Sequence, residues 1–279
     1  MGFRLVAPAD PRTAVELLRS PPSPPALPLT GGTDLLLDID DGRADPATVV
    51  SLRRLPWRDM RWDGPALEIG STAPLARLED DDRIGRELPG LLAGVQAVGS
   101  RALRERATVG GNLGRASPAS DLIPVLLALD AEVSTVGPRG GRVVPVAALV
   151  LGPRRTALEP GELIRSIRIP EPRPSAYVWQ RVRPANDISQ VGVAVAWSAH
   201  AGRWSVAVGG TSPTPVRLPD AEAELSGARP DAARIAAAAA TAARTAPFPS
   251  DRRASEEHRR RVLAVLFGRA LAAAVGARP

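Results

Sequence analysis

The sequence predicts an α+β protein in which two small lobes precede a C-terminal part made of a three-stranded antiparallel sheet and helices. Three observations predict it. Short strand-like runs alternate with stretches whose apolar residues recur at helical spacing. A proline-dense connector, Pro170-Glu171-Pro172-Arg173-Pro174, divides the chain. The length, 279 residues, suits two domains at roughly 150 residues each. These features put one domain at 1–169, with a small lobe over 1–56 and a larger one over 57–169, and a second domain at 175–279.

The elements follow in order. Residues 13–19 read as a short helix with Val15, Leu17 and Leu18 inward, and a proline-rich connector runs from Pro21 to Pro28. Ala26 to Leu29 is a brief apolar piece, and Val49 to Leu52 reads as a buried strand closing the first lobe near Pro56. Leu67 to Gly70 opens the second lobe as a strand, and Leu88 to Val98 carries helical spacing that Gly99 ends. Ala107 to Gly114 reads as a loop, and Asp121 to Leu129 as a helix with Pro124 in its first turn. A hairpin is expected around Gly140-Gly141, then a strand over Glu162 to Ile169. Past the connector, Tyr177–Arg183, Val191–Ala199 and Trp204–Val208 form the expected sheet. Helices follow at Asp220–Leu225 and Asp231–Thr245, and a last one starts at Ser255, its N-cap, with Val262, Leu263, Leu266, Phe267, Ala270 and Leu271 on one face.

Composition excludes much chemistry. With no Cys, this chain holds no disulfide, thiol nucleophile or thiolate-ligated cluster. All basic residues are Arg, so the P-loop lysine and lysine Schiff bases are excluded too. His200 and His258 lie far outside any metal-ligand spacing. The net charge of +6 is spread among interspersed acids without stacking aromatics, which argues against nucleic acid. No run of about 18 apolar residues occurs, so no membrane span is expected. Asp10 and two prolines interrupt the start, where a secretory signal needs an apolar run, and the expected location is cytoplasmic.

Two glycine pairs remain. Gly31-Gly32 and Gly110-Gly111 are flanked by Thr30, Thr33, Thr108 and Asn112. Glycine lets backbone N–H groups face a concavity, and hydroxyls and amides suit phosphate or ribose oxygens. Either pair alone is an ordinary turn; two with polar fringes point to a nucleotide. Gly209-Gly210-Thr211 looks alike, but its place at a strand end before Pro213 marks a plain turn. Asp34 and Asp121 have no neighbouring acid to form a general-acid pair, so both are assigned to cofactor placement.

The string Ala107-Thr108-Val109-Gly110-Gly111-Asn112-Leu113, continued by Ala116-Ser117-Pro118-Ala119-Ser120-Asp121-Leu122-Ile123-Pro124, resembles the FAD-binding signature of the molybdenum hydroxylases. That family includes xanthine dehydrogenase and the medium subunits of carbon-monoxide dehydrogenase and its relatives. Leu29 to Leu35 is similar to its other flavin loop, and Leu158 to Ile164, Arg183 with Asn186-Asp187, and the helix from Arg260 to Leu271 match further on. The resemblance implies a vanillyl-alcohol-oxidase-like (PCMH-type) FAD domain ahead of the C-terminal sheet and helices. It also implies that both glycine loops hold the FAD pyrophosphate. Asn112, Ser117 and Asp121 would reach the ribityl or phosphate region, and Leu35 and Ile164 would pack near the isoalloxazine. Two positions depart from the family: Trp179 stands where a Lys is frequent, and Ile188 where the carbon-monoxide branch has an aromatic residue. Both bear on flavin potential and acceptor access.

By the same resemblance, the chain is the non-covalent FAD carrier of a molybdenum hydroxylase. Electrons would come from the [2Fe-2S] clusters of a small subunit, fed by a large molybdenum-cofactor subunit, in a dimer of heterotrimers. They would leave to NAD, oxygen or another acceptor. No residue is assigned as catalytic and none as a metal ligand. Two alternatives stay open: a free-standing FAD-dependent oxidoreductase acting directly on a small organic substrate, and a non-catalytic subunit that has lost FAD.

Overall fold

A computed structural model describes residues 2–19, 25–183, 187–225, 227 and 229–276. Part of the proline-rich connector (Pro21 to Pro24) and the match at Asn186 lie outside the described residues. The first lobe contains β1 (Arg4–Val6), α1 (Pro11–Arg19), β2 (Ala26–Leu29), α2 (Leu35–Asp40) and β3 (Thr48–Ser51). Its three strands are parallel, in the order β1-β3-β2, so each crossover lies over the sheet. Ala14 and Val15 of α1 are buried on it beside Val50, with Leu17 and Leu18 half-buried.

The second lobe holds β4 (Met60–Asp63), β5 (Ala66–Gly70), α3 (Leu75–Glu79), α4 (Asp82–Glu87), α5 (Pro89–Ala97), α6 (Arg101–Arg104), α7 (Val109–Arg115) and α8 (Leu122–Ala128). It continues through β6 (Glu132–Val136), β7 (Val143–Pro145), α9 (Val146–Leu149), β8 (Val150–Gly152), β9 (Arg155–Thr156) and β10 (Leu163–Ile169). The main sheet is antiparallel, in the order β4-β5-β10-β6-β7, and buries Leu67, Ile69, Val133 and Ile167 against α5 and α8.

The segment expected as a loop over 107–114 is largely helical. Thr108 is the N-cap of α7, its Oγ1 accepting from Gly111 N, and Val109 and Leu113 bury their side chains completely. Its three glycines, Gly110, Gly111 and Gly114, cost a helix roughly 1 kcal/mol each against alanine, which the cap and the apolar anchors offset. In α8, by contrast, the cap is not the residue at the boundary: Ser120 Oγ, not Asp121, accepts from the N–H groups of Leu122 and Ile123.

The C-terminal part contains β11 (Ser175–Gln180), β12 (Val191–Ser198), β13 (Arg203–Gly209), β14 (Val216–Arg217), α10 (Pro219–Glu224), α11 (Ala232–Thr245) and α12 (Glu256–Gly276). The two-residue β14 extends the three expected strands. Every residue of β12 is buried, because its sheet is covered on both faces. Val191, Val193, Val195 and Trp197 pack with α11 and α12, while the small Ala194 and Ala196 join the core under α5 and α8. Period-two alternation of large and small side chains thus sets the C-terminal sheet onto the second lobe. An ionic hub reinforces the junction: Asp130, in a left-handed turn after α8, accepts from Arg173, Arg203 and Arg217 at 2.8, 3.1 and 2.7 Å.

Candidate functional site

A cavity of about 690 Å³ lies between the two lobes. The volume falls within the roughly 300–1,000 Å³ of cofactor and ligand pockets. Its floor is the pair of glycine loops, which touch. Thr108 Oγ1 donates to Thr30 Oγ1 at 3.0 Å and accepts from Gly111 N at 3.0 Å.

Sterics explain the glycines. A Cβ on Gly31 would run into the carbonyl of Arg106, and one on Gly111 would sit 2.6 Å from Thr30 Oγ1 and 3.0 Å from Thr108 Oγ1. One on Gly110 would sit 2.6 Å from Ser71. Each loop is therefore side-chain-free because the neighbouring segment fills that space, and Gly32, at φ +81°, turns the first loop into α2.

The backbone donors are unevenly disposed. Gly110 N, Gly111 N and Asn112 N already donate to Ser71 O, Thr108 Oγ1 and Thr108 O. Among the described residues, the N–H groups of Gly31, Gly32, Thr33 and Asp34 have no protein acceptor. The first loop thus offers the open donors and the second braces it. Ser71 Oγ, in the cavity wall, is buried without a partner.

Most of the residues singled out in the sequence meet here. Thr30, Gly31, Gly32, Thr33, Asp34 and Leu35 line the cavity, as do Thr108, Gly110, Gly111, Asn112 and Ile164. Ser117 and Asp121 do not. Ser117 Oγ accepts from Ala119 N, and Asp121 is buried under the C-terminal sheet. There its carboxylate accepts from Tyr177 Oη at 2.7 Å, from Arg181 Nη2 at 3.0 Å and from Ser189 Oγ. Burial pushes this carboxyl up, against the lowering by its three partners. The Tyr177 hydroxyl is raised by burial and by facing that carboxylate. Trp179 also stays outside the cavity, stacked on Tyr177 at 5.5 Å. Ile188 lines it. The Gly209-Gly210 turn lies elsewhere, with Gly210 N donating to Pro118 O.

Sequence reasoning missed an ion cluster. Asp38, 4% exposed, lies between Arg115, Arg43 at 2.8 Å and Arg154 at 3.5 Å, and all four residues line the cavity. The Arg115 hydrogen bond, helped by Arg43, holds the Asp38 carboxyl far below the usual range despite burial. Because Asp38 is on α2 and Arg115 ends α7, the pair joins the helices that leave the two glycine loops. The glycine strings pointed to the floor, but nothing in the spacing of positions 38, 43, 115 and 154 relates them.

Glu162 contributes to another wall. Arg142 donates to it twice at 2.8 Å, Thr135 Oγ1 at 2.7 Å and Glu159 N at 2.9 Å, and Arg142 in the first place lowers its pKa to about 2. Leu27, Leu29, Val98, Leu158, Leu163 and Ile164 supply apolar lining. A polar, donor-bearing floor with aliphatic walls suits a molecule joining charged phosphates to flat rings. A dinucleotide has that form.

Comparison with known proteins agrees. Two family descriptions match in series: "FAD binding domain in molybdopterin dehydrogenase" over residues 1–172, and "CO dehydrogenase flavoprotein C-terminal domain" over residues 176–274. The chain belongs to the FAD-binding subunits of the molybdopterin dehydrogenases. Like its relatives, this FAD-binding subunit is of the oxidoreductase class. It is 30% identical to the xanthine dehydrogenase FAD-binding subunit of Escherichia coli O157:H7, over 95% of this chain and 93% of the relative. It is 29% identical to the nicotine 6-hydroxylase medium subunit of Paenarthrobacter nicotinovorans, over 99% and 98%. In structure it is similar to a chain of reconstituted CO dehydrogenase from Oligotropha carboxidovorans, with TM-score 0.92, 27% identity and 100% and 99% coverage. Quinoline 2-oxidoreductase from Pseudomonas putida 86 gives 0.90, 25%, 99% and 98%. Among the described residues of this FAD-binding subunit, no helix is long and apolar enough to cross a membrane, and no cluster of acids and histidines is placed to hold a metal.

Proposed function

We propose that this chain holds FAD non-covalently between its glycine loops and relays electrons within a cytoplasmic molybdenum hydroxylase. In this reading they arrive from the [2Fe-2S] clusters of a small subunit and leave to NAD, oxygen or another acceptor. A large molybdenum-cofactor subunit completes a heterotrimer that pairs into a dimer, and the chain divides at the prolines of 170–174. Bound FAD supplies the one- and two-electron chemistry.

The observation that carries this reading is the convergence of the two loops on one cavity, with Thr108 bonded to Thr30. Gly31 to Asp34 bring unpaired N–H groups to diphosphate oxygens, a fixed array that needs no reorganisation. Ser71 Oγ adds a buried donor with no competing partner. Asn112 presents its amide from α7, while its Oδ1 is fixed by Ser120 Oγ at 2.6 Å. Leu35 and Ile164 exclude water from the ring system. Ser117 and Asp121 support the site from behind.

The free-standing alternative needs a proton acceptor beside the flavin. Among the described residues the lining contains no His or Tyr, and its buried acids, Asp38 and Glu162, are ion-paired.

Purification of the chain alone provides the test. The expected product is yellow, releases its flavin on acid precipitation, contains no iron or molybdenum, and does not oxidise organic donors. A folded, colourless product that gives no spectral change on FAD titration would refute the reading, and turnover of an organic donor would favour the free-standing enzyme. Co-expression with the small and large subunits, followed by mass measurement, tests the assembly.

A further inference from the structure

Among the described residues, Ile188 is the only one beyond residue 172 that lines the cavity. It stands at the start of a short segment, 188–190, which is held from two directions. On one side, Asp121 accepts from Ser189 Oγ, and Arg181 donates Nε to the same hydroxyl at 3.2 Å and Nη2 to Asp121 at 3.0 Å. On the other side is Arg259, in the first turn of α12 and 2% exposed. Its Nη1 donates to Gln190 O and to Gly210 O, both at 2.6 Å, and its Nη2 donates to Asp251 at 2.7 Å.

Burying a guanidinium costs several kcal/mol unless it is paired and hydrogen-bonded; here Nη1 serves two backbone carbonyls from separate segments and Nη2 serves Asp251, while Nε is buried without a partner. Those segments are the one that carries Ile188 and the turn whose Gly210 N reaches back to Pro118 O, just ahead of α8. Nη1 bonds both carbonyls while Nη2 holds Asp251, so the rigid guanidinium ties three acceptors in fixed directions, which a rotatable ammonium on a flexible stem does not.

We propose that Arg259 is a positioning residue for the cofactor: from the last helix it sets the 188–190 backbone, and so the place of Ile188 against the bound flavin. This rests on the FAD reading above. Arg259 touches no cavity atom and acts only through Gln190 and its neighbours.

The test is a double-mutant cycle on the full-length chain, read by FAD affinity and by iodide quenching of the flavin. Ile188→Ala should weaken FAD binding about tenfold and raise quenching, since a side chain already 42% exposed is removed without opening the core. Arg259→Met should do the same, Arg259→Lys should fall between, and Ile188→Ala with Arg259→Met should be no worse than Ile188→Ala alone. Arg173→Met, which takes an equally buried arginine out of the Asp130 hub, should lower stability without changing quenching. If Arg259→Met does not fold, the cycle is run with Arg259→Lys, where the same non-additivity is expected. Additive losses, or wild-type affinity and quenching in a folded Arg259 variant, overturn the positioning role while leaving FAD binding intact. A wild-type chain that takes up no FAD overturns both.

Discussion

Thr108 donates a hydrogen bond to Thr30 across 3.0 Å of space and 78 residues of sequence. The bond joins the end of a parallel strand to the cap of a helix in the other lobe, so one hydroxyl pair sets the spacing of the cavity floor. Thr108 Oγ1 also takes the N–H of Gly111, which leaves no room for a side chain there.

Gly111→Val is accordingly expected to weaken FAD binding roughly 100-fold, the factor that about 2.7 kcal/mol represents. The reason is steric: a Cβ 2.6 Å from Thr30 Oγ1 forces the loops apart. Flavin absorbance retained after desalting, with far-UV circular dichroism as a check on folding, measures it. Undiminished retention would contradict the assignment of this floor.

Asp38→Ala should destabilise the chain by about 1–3 kcal/mol. That is less than the roughly 3–5 kcal/mol of a fully buried pair, because Arg43 and Arg154 are half exposed and turn to water. Asp38→Asn should lose less, since an amide oxygen still accepts from Arg115. Urea midpoints of the three chains at neutral pH decide this.

Acid should act through Glu162. Its folded pKa, about 2, lies below the ordinary 4.5, so the unfolded chain binds the proton more tightly. The stability this carboxylate contributes is complete above pH 4.5 and is lost as pH falls toward 2. Glu162→Gln should therefore be less stable than wild type at neutral pH and should show a shallower fall in melting temperature through that window.

Asp130→Ala removes the acceptor shared by Arg173, Arg203 and Arg217 and puts alanine at φ +49°. Together these should cost about 2–4 kcal/mol. Asp130→Asn should cost less, because asparagine tolerates the left-handed turn. Neither should change FAD affinity, since none of the four residues lines the cavity. Chemical denaturation and flavin titration of the same samples separate the two effects.

Much of this architecture was legible in the sequence because it rests on local rules. The apolar face of α12 and the alternation of β12 follow helix and strand periodicity, and the glycine strings marked the cavity floor. Elements as short as β1 and β14 gave too few residues for a period to register. The helix α7 was hidden by its three glycines, whose local preference is overruled by Val109 and Leu113 in the core and by the Thr108 cap. The Asp38 cluster left no trace, because four residues spread over 116 positions meet only once both lobes are folded. Asp121 shows the converse. A residue beside a recognisable string was read as facing the ligand, whereas its carboxylate is turned to Tyr177 and Ser189 of the C-terminal part.

The cavity walls come from residues 27 to 188, so the order of synthesis constrains when flavin can be captured. The ribosome delivers the Gly31 loop first, yet the strand bearing Ile164 and the turn bearing Ile188 emerge more than a hundred residues later. A polypeptide that ends before that strand therefore lacks two of the walls that enclose this cavity.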